Sequence, residues 1–344
     1  MEHFILGRTG LSVSRTGFGA LPIQRVTFEE ATALLNRALD GGVNYIDSAR
    51  AYSNSEEKIG QAISHRRSEF IIATKTTAKK AEVFWKDLET SLRMLKTDCI
   101  DVYQFHNPGF VPKPGGEDGL YDAAVKAKEQ GKIRFIGLTN HSLERGFEAV
   151  RSGLYDTLQY PFNHLATERE IELVRLCKEE NVGFICMKAL SGGLITNAKL
   201  PFAWLRQFDH IVPIWGVQRM NELEELLAYA ENPPTLDAQA EREIEKDRAE
   251  LAGAFCRGCG YCLPCPAGIP INNANRITQL LLRSPWRSWV TPEWQANMEK
   301  IEDCIHCGAC ATRCPYGLKP YETLREHLTF YRQFVKEHQA EMEG

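Results

Sequence analysis

Twelve side chains in this sequence combine a reactive type with a telling spacing. Asp47 and Tyr52 lie five residues apart in NYIDSARAY, Lys75 closes FIIATK, and His106 closes CIDVYQFH. A carboxylate, a phenol, an ammonium and an imidazole can together orient, polarise and protonate a substrate oxygen. The other eight are cysteines in two tight groups. These are CRGCGYCLPCP, with Cys256, Cys259, Cys262 and Cys265, and CIHCGACATRCP, with Cys304, Cys307, Cys310 and Cys314. Thiolates repeated at such short steps are metal ligands.

The first four residues need strand ends to hold them. From the N-terminus to about residue 232, short apolar runs alternate with helical stretches. The runs TGFGAL, NYIDSA, FIIATK, CIDVYQFH, KIRFIGLTN, TLQYPFN, GFICMKAL and HIVPIWGV start at 16, 44, 70, 99, 132, 157, 183 and 210. Steps of 25 to 33 residues fit one strand, one loop and one helix per unit. Several runs are nearly continuous in apolar residues, as parallel strands buried on both faces require. Eight such units predict an α/β fold, a (β/α)8 TIM barrel, which typically takes about 250 residues and keeps its chemistry at the C-terminal strand ends. Singly, a lysine ending a strand is usually a solvated cap, and a tyrosine in a loop usually packs. On three successive strand ends, Asp47, Tyr52, Lys75 and His106 point into one pocket. A doubly wound sheet is disfavoured, because Gly17-x-Gly19 continues to Pro22 and Gly258-x-Gly260 to Leu263, and neither completes a dinucleotide fingerprint.

The opening FILGRTGLSVSRTG reads as a hairpin over the bottom of the barrel, turning at Arg8-Thr9-Gly10. The barrel spans 1–232 and stops at Pro233-Pro234. Residues 233–253 read as a linker helix, with Leu236, Ala240, Ile244 and Leu251 largely on one side. A cysteine-rich module follows over 254–320. Residues 321–344 read as a terminal helix that packs through Leu324, Leu328, Tyr331 and Val335.

Composition narrows the function classes. The 344 residues are 43% hydrophobic and 25% charged, with a formal net charge of −4. That is ordinary globular composition, and its mild acidity gives no reason to expect nucleic acid or an anionic membrane as partner. No apolar run approaches the ~18 residues of a membrane span. MEHFILGRTG lacks the basic stretch and apolar core of a signal peptide. Of the eleven cysteines, Cys99, Cys177 and Cys186 stand singly in apolar stretches, as small buried hydrophobes do. The clustering of the rest suits the reducing cytoplasm rather than a disulfide framework.

The barrel half resembles the aldo/keto reductases. GVNYIDSARAYSNSEEKIG, FIIATK, SLRMLKTDCIDVYQFH, GKIRFIGLTNH, LQYPFN and GFICMKALSGG carry the likeness, and Asp-x4-Tyr with the later Lys and His is specific to that family. The resemblance implies NAD or NADP bound without a Rossmann fold, and reversible reduction of a small-molecule carbonyl to an alcohol. It makes Tyr52 the proton donor. Lys75 is expected to lower the phenol pKa from about 10, with Asp47 holding the ammonium in place. His106 is expected to bond the carbonyl oxygen. The resemblance further implies that Asn140 and Gln159 bind the nicotinamide carboxamide. Gly19, Asp47, Met187, Gly216, Gln218, Arg219 and Glu225 complete the expected cofactor contacts. Met187 stands where many relatives stack an aromatic ring. Glu222 stands where NADPH-preferring relatives often carry Arg, and a carboxylate there repels a 2′-phosphate, while Arg219 leaves NADP open.

The second cysteine group matches the C-x2-C-x2-C-x3-C-P run of bacterial ferredoxins, and the first has one residue fewer before its last cysteine. Zinc motifs usually separate two cysteine pairs by a longer loop. Two unbroken runs, each ending Cys-Pro, favour two 4Fe–4S clusters. In two-cluster ferredoxins the fourth cysteine of each run reaches the other cluster. That pattern puts Cys256, Cys259, Cys262 and Cys314 on one cluster, and Cys304, Cys307, Cys310 and Cys265 on the other. Residues 266–303 between the runs read as helical, so the module resembles small helical two-cluster ferredoxin-like domains. Trp286, Trp289 and Trp294 are expected in its core, and His306 as a spacer. The clusters are expected mainly to hold this module together, because a nicotinamide delivers both electrons as hydride and a cysteine-rich domain under about 70 residues is short of apolar core. Two rival expectations are an electron port serving a ferredoxin-type redox partner, and a nicotinamide-binding redox sensor.

Overall fold

The computed structural model describes residues 1–251, 256–283 and 286–342, and the chain divides into two compact units. The first comprises Met1–Ala189 and Lys199–Ala240, and the second Leu190–Ala198 and the chain from Glu241 onward.

The first unit opens with the expected hairpin, β1 (His3–Ile5) against β2 (Ser12–Ser14), with Phe4 opposite Val13. Each of the eight expected runs then contains a strand. They are β3 (Gly17–Gly19), β4 (Tyr45–Asp47), β5 (Ile71–Thr76), β6 (Ile100–His106), β7 (Ile133–Thr139), β8 (Thr157–Pro161), β9 (Gly183–Met187) and β10 (Ile211–Gly216). Their neighbours pair in parallel, and β10 closes on β3 to complete the barrel. The intervening helices are α1 (Phe28–Asp40), α2 (Ser55–Ile63), α3 (Ala81–Leu95), α4 (Leu120–Glu129), α5 (Leu143–Arg151), α6 (Glu168–Glu179), α7 (Lys199–Leu205) and α8 (Met220–Glu231). Helical spacing of apolar residues makes them. In α1, Ala31, Leu34, Leu35, Ala38 and Leu39 form the buried stripe, and a reciprocal Thr27–Glu30 capping box starts the helix. Leu6, Leu11 and Val13 share a core with Tyr45, Ile71 and Val212, and Leu6 lies over Gly183, the first residue of β9. The hairpin therefore seals the end of the barrel where the strands begin, leaving the opposite rim for chemistry.

The second unit is helical. The linker helix read over 233–253 is observed as α9 (Ala238–Leu251). Residues 252–255, where that helix was to end and the cysteine module to begin, lie outside the described residues, as do 343–344. Between the cysteine runs come α10 (Ile271–Ala274), α11 (Ile277–Arg283), a 3-10 turn (Trp286–Trp289) and α12 (Pro292–Glu299). The short α13 (Ala309–Thr312) carries Cys310, and α14 (Pro320–Glu337) and α15 (Gln339–Met342) follow. One expectation is corrected here. The unit is not short of apolar core, because Leu324, Leu328, Tyr331 and Phe334 of α14 pack on Ile277, Leu281, Met298 and Ile301. Phe334 takes the buried position expected of Val335, which is only partly covered. Trp286 and Trp289 pack against this core, and the Trp294 ring lies 4.8 Å from that of Trp289. Among the described residues, no helix is long and apolar enough to cross a membrane.

Candidate functional site

Strand register gathers the expected residues on one rim. Gly216 is level with Gly19, Gly19 with Asp47, Lys75 with Gln104, His106 with Thr139, and Thr139 with Gln159. Met187 ends β9 level with Pro161.

At the centre, Lys75 is 1% exposed and donates from Nζ to Asp47 Oδ1 at 2.5 Å and to the Ser48 carbonyl at 2.6 Å. Asp47, 2% exposed, also accepts from Gln104 Nε2 at 3.3 Å and Gln159 Nε2 at 3.4 Å. Burial pushes the Asp47 carboxyl up and the Lys75 ammonium down, and each is opposed by the charge of the other. The direct contact and the flanking amides are what support two charges at this depth.

The loop after β4 presents Tyr52. Arg50 N donates to the Lys75 carbonyl at 2.9 Å, Tyr52 N to Ala49 at 3.0 Å, and Ser55 N to Tyr52 at 2.8 Å. The Tyr52 ring centroid lies 5.3 Å from Lys75 Nζ and 5.8 Å from the His106 ring, edge to face. This corrects the expected electrostatics. The Tyr52 phenol is pushed well above its ordinary value, first by burial and then by the Asp47 carboxylate. Burial outweighs the Lys75 ammonium, which is bonded to Asp47 and stands over the ring. His106 is held down to about 3, by burial first and by the Lys75 charge second, so its imidazole is neutral at neutral pH. Its Nδ1 is buried without a hydrogen-bond partner.

Gln159 also leaves its Oε1 buried and unpartnered, which suits an incoming amide N–H. Asn140 is fully buried and ties two loops, donating to the Pro108 carbonyl at 3.0 Å and accepting from Ser142 N at 2.8 Å. One of its amide hydrogens remains for a ligand. Met187 is half-buried, with Sδ 4.0 Å from Thr139 Oγ1. Gln218 accepts from Arg25 Nε at 3.1 Å. At the start of α8, Glu222 Oε2 accepts from the backbone of Gln218 at 3.0 Å and of Arg219 at 3.1 Å. The helix end that favours an anion therefore already holds a carboxylate. Glu225 faces solvent, accepts from Tyr229 Oη at 2.7 Å, and stands apart from the group.

Two contributors escaped the sequence reading. Gln104 lies two residues before His106 in a strand, a polar residue on the same face, and that alternation was a usable signal. Gly137 makes room for it, since a Cβ there would stand 2.7 Å from Gln104 Cγ and 2.5 Å from Thr157 Oγ1. Lys58 is buried and donates to the Ile23 carbonyl at 2.9 Å and that of Val26 at 2.6 Å, fixing the turn Pro22–Arg25 beside Gly216. Its helical position gave no hint of that.

In the second unit, Cys262, Cys265, Cys304, Cys307 and Cys310 line one recess walled by Ile269, Ile305 and Tyr321. Cys256 is within electrostatic reach of Cys259 and Cys314, and Cys262 of Cys256 and Cys259. Cys262 is also within electrostatic reach of Cys310, so these contacts bring the two runs together without dividing them into the two expected foursomes. Burial pushes the thiols of Cys256 and Cys310 up, and that of Cys262 up to about 12, so they ionise readily only beside added positive charge. Among the described residues, no three His, Cys, Asp or Glu side chains stand close enough to share a single metal ion. His306 is exposed, with its ring 6.4 Å from that of Tyr321. Of the three single cysteines, Cys177 and Cys186 are buried and Cys99 is only partly covered.

Residues 15–203 match the family described as aldo/keto reductase, and residues 255–319 the 4Fe-4S dicluster domain. The chain is 34% identical over 223 residues to aldo-keto reductase YhdN of Bacillus subtilis, covering 57% of this chain and 64% of that protein. The match thus spans under two thirds of the Bacillus protein. Identity to L-galactose dehydrogenase of Arabidopsis thaliana is 31% over 220 residues, covering 58% of this chain and 69% of that one. The aldo-keto reductase from Klebsiella pneumoniae solved in complex with NADPH shares the fold, with a TM-score of 0.63, 20% identity, and coverage of 74% of this chain and 97% of that one.

Proposed function

The chain belongs to the aldo/keto reductase family, and from that premise we propose that it interconverts a carbonyl and an alcohol with NAD(P)(H), and that its cysteine unit holds two 4Fe–4S clusters. The observation that carries the reading is the buried Asp47–Lys75 pair set against Tyr52 and His106. Gln159 Oε1 and the spare Asn140 N–H would bind the carboxamide of the nicotinamide, with Met187 against its ring. That cofactor supplies or accepts the hydride when bound.

The chain's own residues handle the oxygen and its proton. His106, neutral, donates a hydrogen bond to the carbonyl oxygen without adding charge. Tyr52 gives its phenolic proton to that oxygen as the carbon gains hydride, and takes it back in the reverse direction. The raised phenol pKa is no obstacle. Burial that disfavours phenolate also disfavours the nascent alkoxide, which is the stronger base, so the proton moves to it. Lys75 places fixed positive charge over the phenol ring, where negative charge develops, and Asp47 with Gln104 and Gln159 keeps it there.

Cys256, Cys259, Cys262 and Cys314 would hold one cluster, and Cys304, Cys307, Cys310 and Cys265 the other. The role assigned to both is to hold the second unit together, since the barrel reaction is complete without a one-electron donor. The reading is tested by Tyr52→Phe, which should lower kcat by ~10²–10⁴ with little change in cofactor affinity. Activity within about twofold of the parent, well short of a general acid's usual contribution, would remove Tyr52 from the mechanism.

A further inference from the structure

One buried charge plays no part in the reaction above. Arg276, between α10 and α11, is 5% exposed, and its Nε is buried without a partner. Its Nη2 donates to the Gly192 carbonyl at 3.1 Å. No carboxylate pairs with it among the described residues, and a buried cation left so is costly unless an anion joins it. The charges that act on it are the sulfurs of Cys256 and Cys259. Between those cysteines the guanidinium lies directly on the backbone of Gly258, where a Cβ would stand 1.8 Å from Nη1 and 2.8 Å from Cζ. Gly258 adopts φ +62° and its N–H donates to Cys256 Sγ at 3.4 Å. The glycine thus serves both the turn and the close approach.

We propose that Arg276 is the counter-cation of the cluster held by Cys256, Cys259, Cys262 and Cys314, and that it fastens the segment Leu190–Ala198 to that cluster through the Gly192 carbonyl. The inference rests on the two-cluster reading above. A cube ligated by four thiolates is an anion in both oxidation states and gains one negative charge on reduction. A fixed cation beside it favours the reduced state, so Arg276 raises the potential of this cluster and not of the other. No proton moves. Arg283 makes a second tie to the same segment, donating from Nη1 to the Leu194 carbonyl at 3.2 Å. The segment begins three residues after Met187 in the sequence.

The test is an EPR-monitored redox titration of the full chain under anaerobic conditions, after iron and sulfide have been counted. About eight of each in the unaltered protein establishes the two-cluster reading before the inference is judged. Arg276→Gln should lower one midpoint potential by at least a tenfold change in the reduction equilibrium, about 59 mV for a one-electron couple, and leave the other in place. Arg276→Lys, which keeps the charge, should restore most of the shift. Hydrogen exchange over 190–198 should quicken in Arg276→Gln. Unchanged potentials with full iron in Arg276→Gln overturn the proposal, as does an equal fall in both variants. If Arg276→Gln loses half its iron while Arg276→Lys keeps all of it, the need for charge is shown by loss of the cluster. Loss from both variants overturns the proposal, because shape rather than charge is then what the site requires. An unaltered protein without iron and sulfide fails the two-cluster reading, and the inference with it.

Discussion

In the barrel, Lys75 and Asp47 are buried against each other, and the donors and acceptors around them all come from the chain. In the second unit, no carboxylate among the described residues pairs with the buried Arg276, and the Cys256 thiol that acts on it is pushed away from ionisation by burial. Both regions carry charge-bearing groups out of water. The first neutralises them with residues brought together by folding, whereas in the second no carboxylate among the described residues faces the buried guanidinium. The contrast predicts that the Asp47–Lys75 pair is supported once the strands close, while the cysteine unit is expected to depend on the metal it binds.

The strongest way to break that contrast is to remove iron. Anaerobic chelation should abolish hydrogen-exchange protection across α11 and α14 while leaving β5 and β6 protected, read segment by segment by mass spectrometry. The apolar core around α14 tempers the expectation but does not replace the missing counter-charge. Equal loss in both units, or none in either, contradicts the contrast. The converse lesion is Lys75→Met, which strands a buried carboxylate and should cost the barrel about 3–5 kcal/mol in denaturant unfolding. Asp47→Asn in the same background should recover part of that loss, and the iron content should stay unchanged. A cost below about 1 kcal/mol, the range of exposed pairs, would mean the pair is not the buried support described.

A smaller effect comes from His106. Burial holds its pKa at about 3 against an ordinary 6.5, so in that interval the unfolded chain binds a proton that the folded chain does not. Its contribution to stability is therefore fully present above pH 6.5 and is lost as the pH falls toward 3. His106→Gln should flatten the decline in unfolding free energy below pH 6.5 relative to the parent. Parallel curves for the two proteins would show that the imidazole is not held neutral.

The eight strands were legible because nearly continuous apolar runs at even spacing admit few other folds. The rim residues were legible for the same reason, since a polar residue ending such a run has only the barrel mouth to face. What escaped was pairwise geometry. The sequence places Lys75 and Tyr52 in one pocket, but the burial of the phenol, followed by the nearby Asp47 carboxylate, reverses the expected direction of the Tyr52 shift. Glu222 could be flagged as acidic beside α8, yet its capping of the Gln218 and Arg219 N–H groups needed coordinates. The contact of Arg276 with Gly192 joins residues 84 positions apart, and no local periodicity encodes it.

We propose that hydride chemistry in the barrel runs without electrons from the clusters. The direct test is anaerobic stopped-flow mixing of the iron-replete protein with NADH or NADPH, following cluster absorbance alongside single-turnover product formation. The clusters should keep their oxidation state during turnover, and kcat should be the same whether they begin oxidised or reduced by one electron. Reduction of the clusters by bound NADH or NADPH at a rate equal to or above kcat would contradict it, and would make the second unit an electron port to a ferredoxin-type partner.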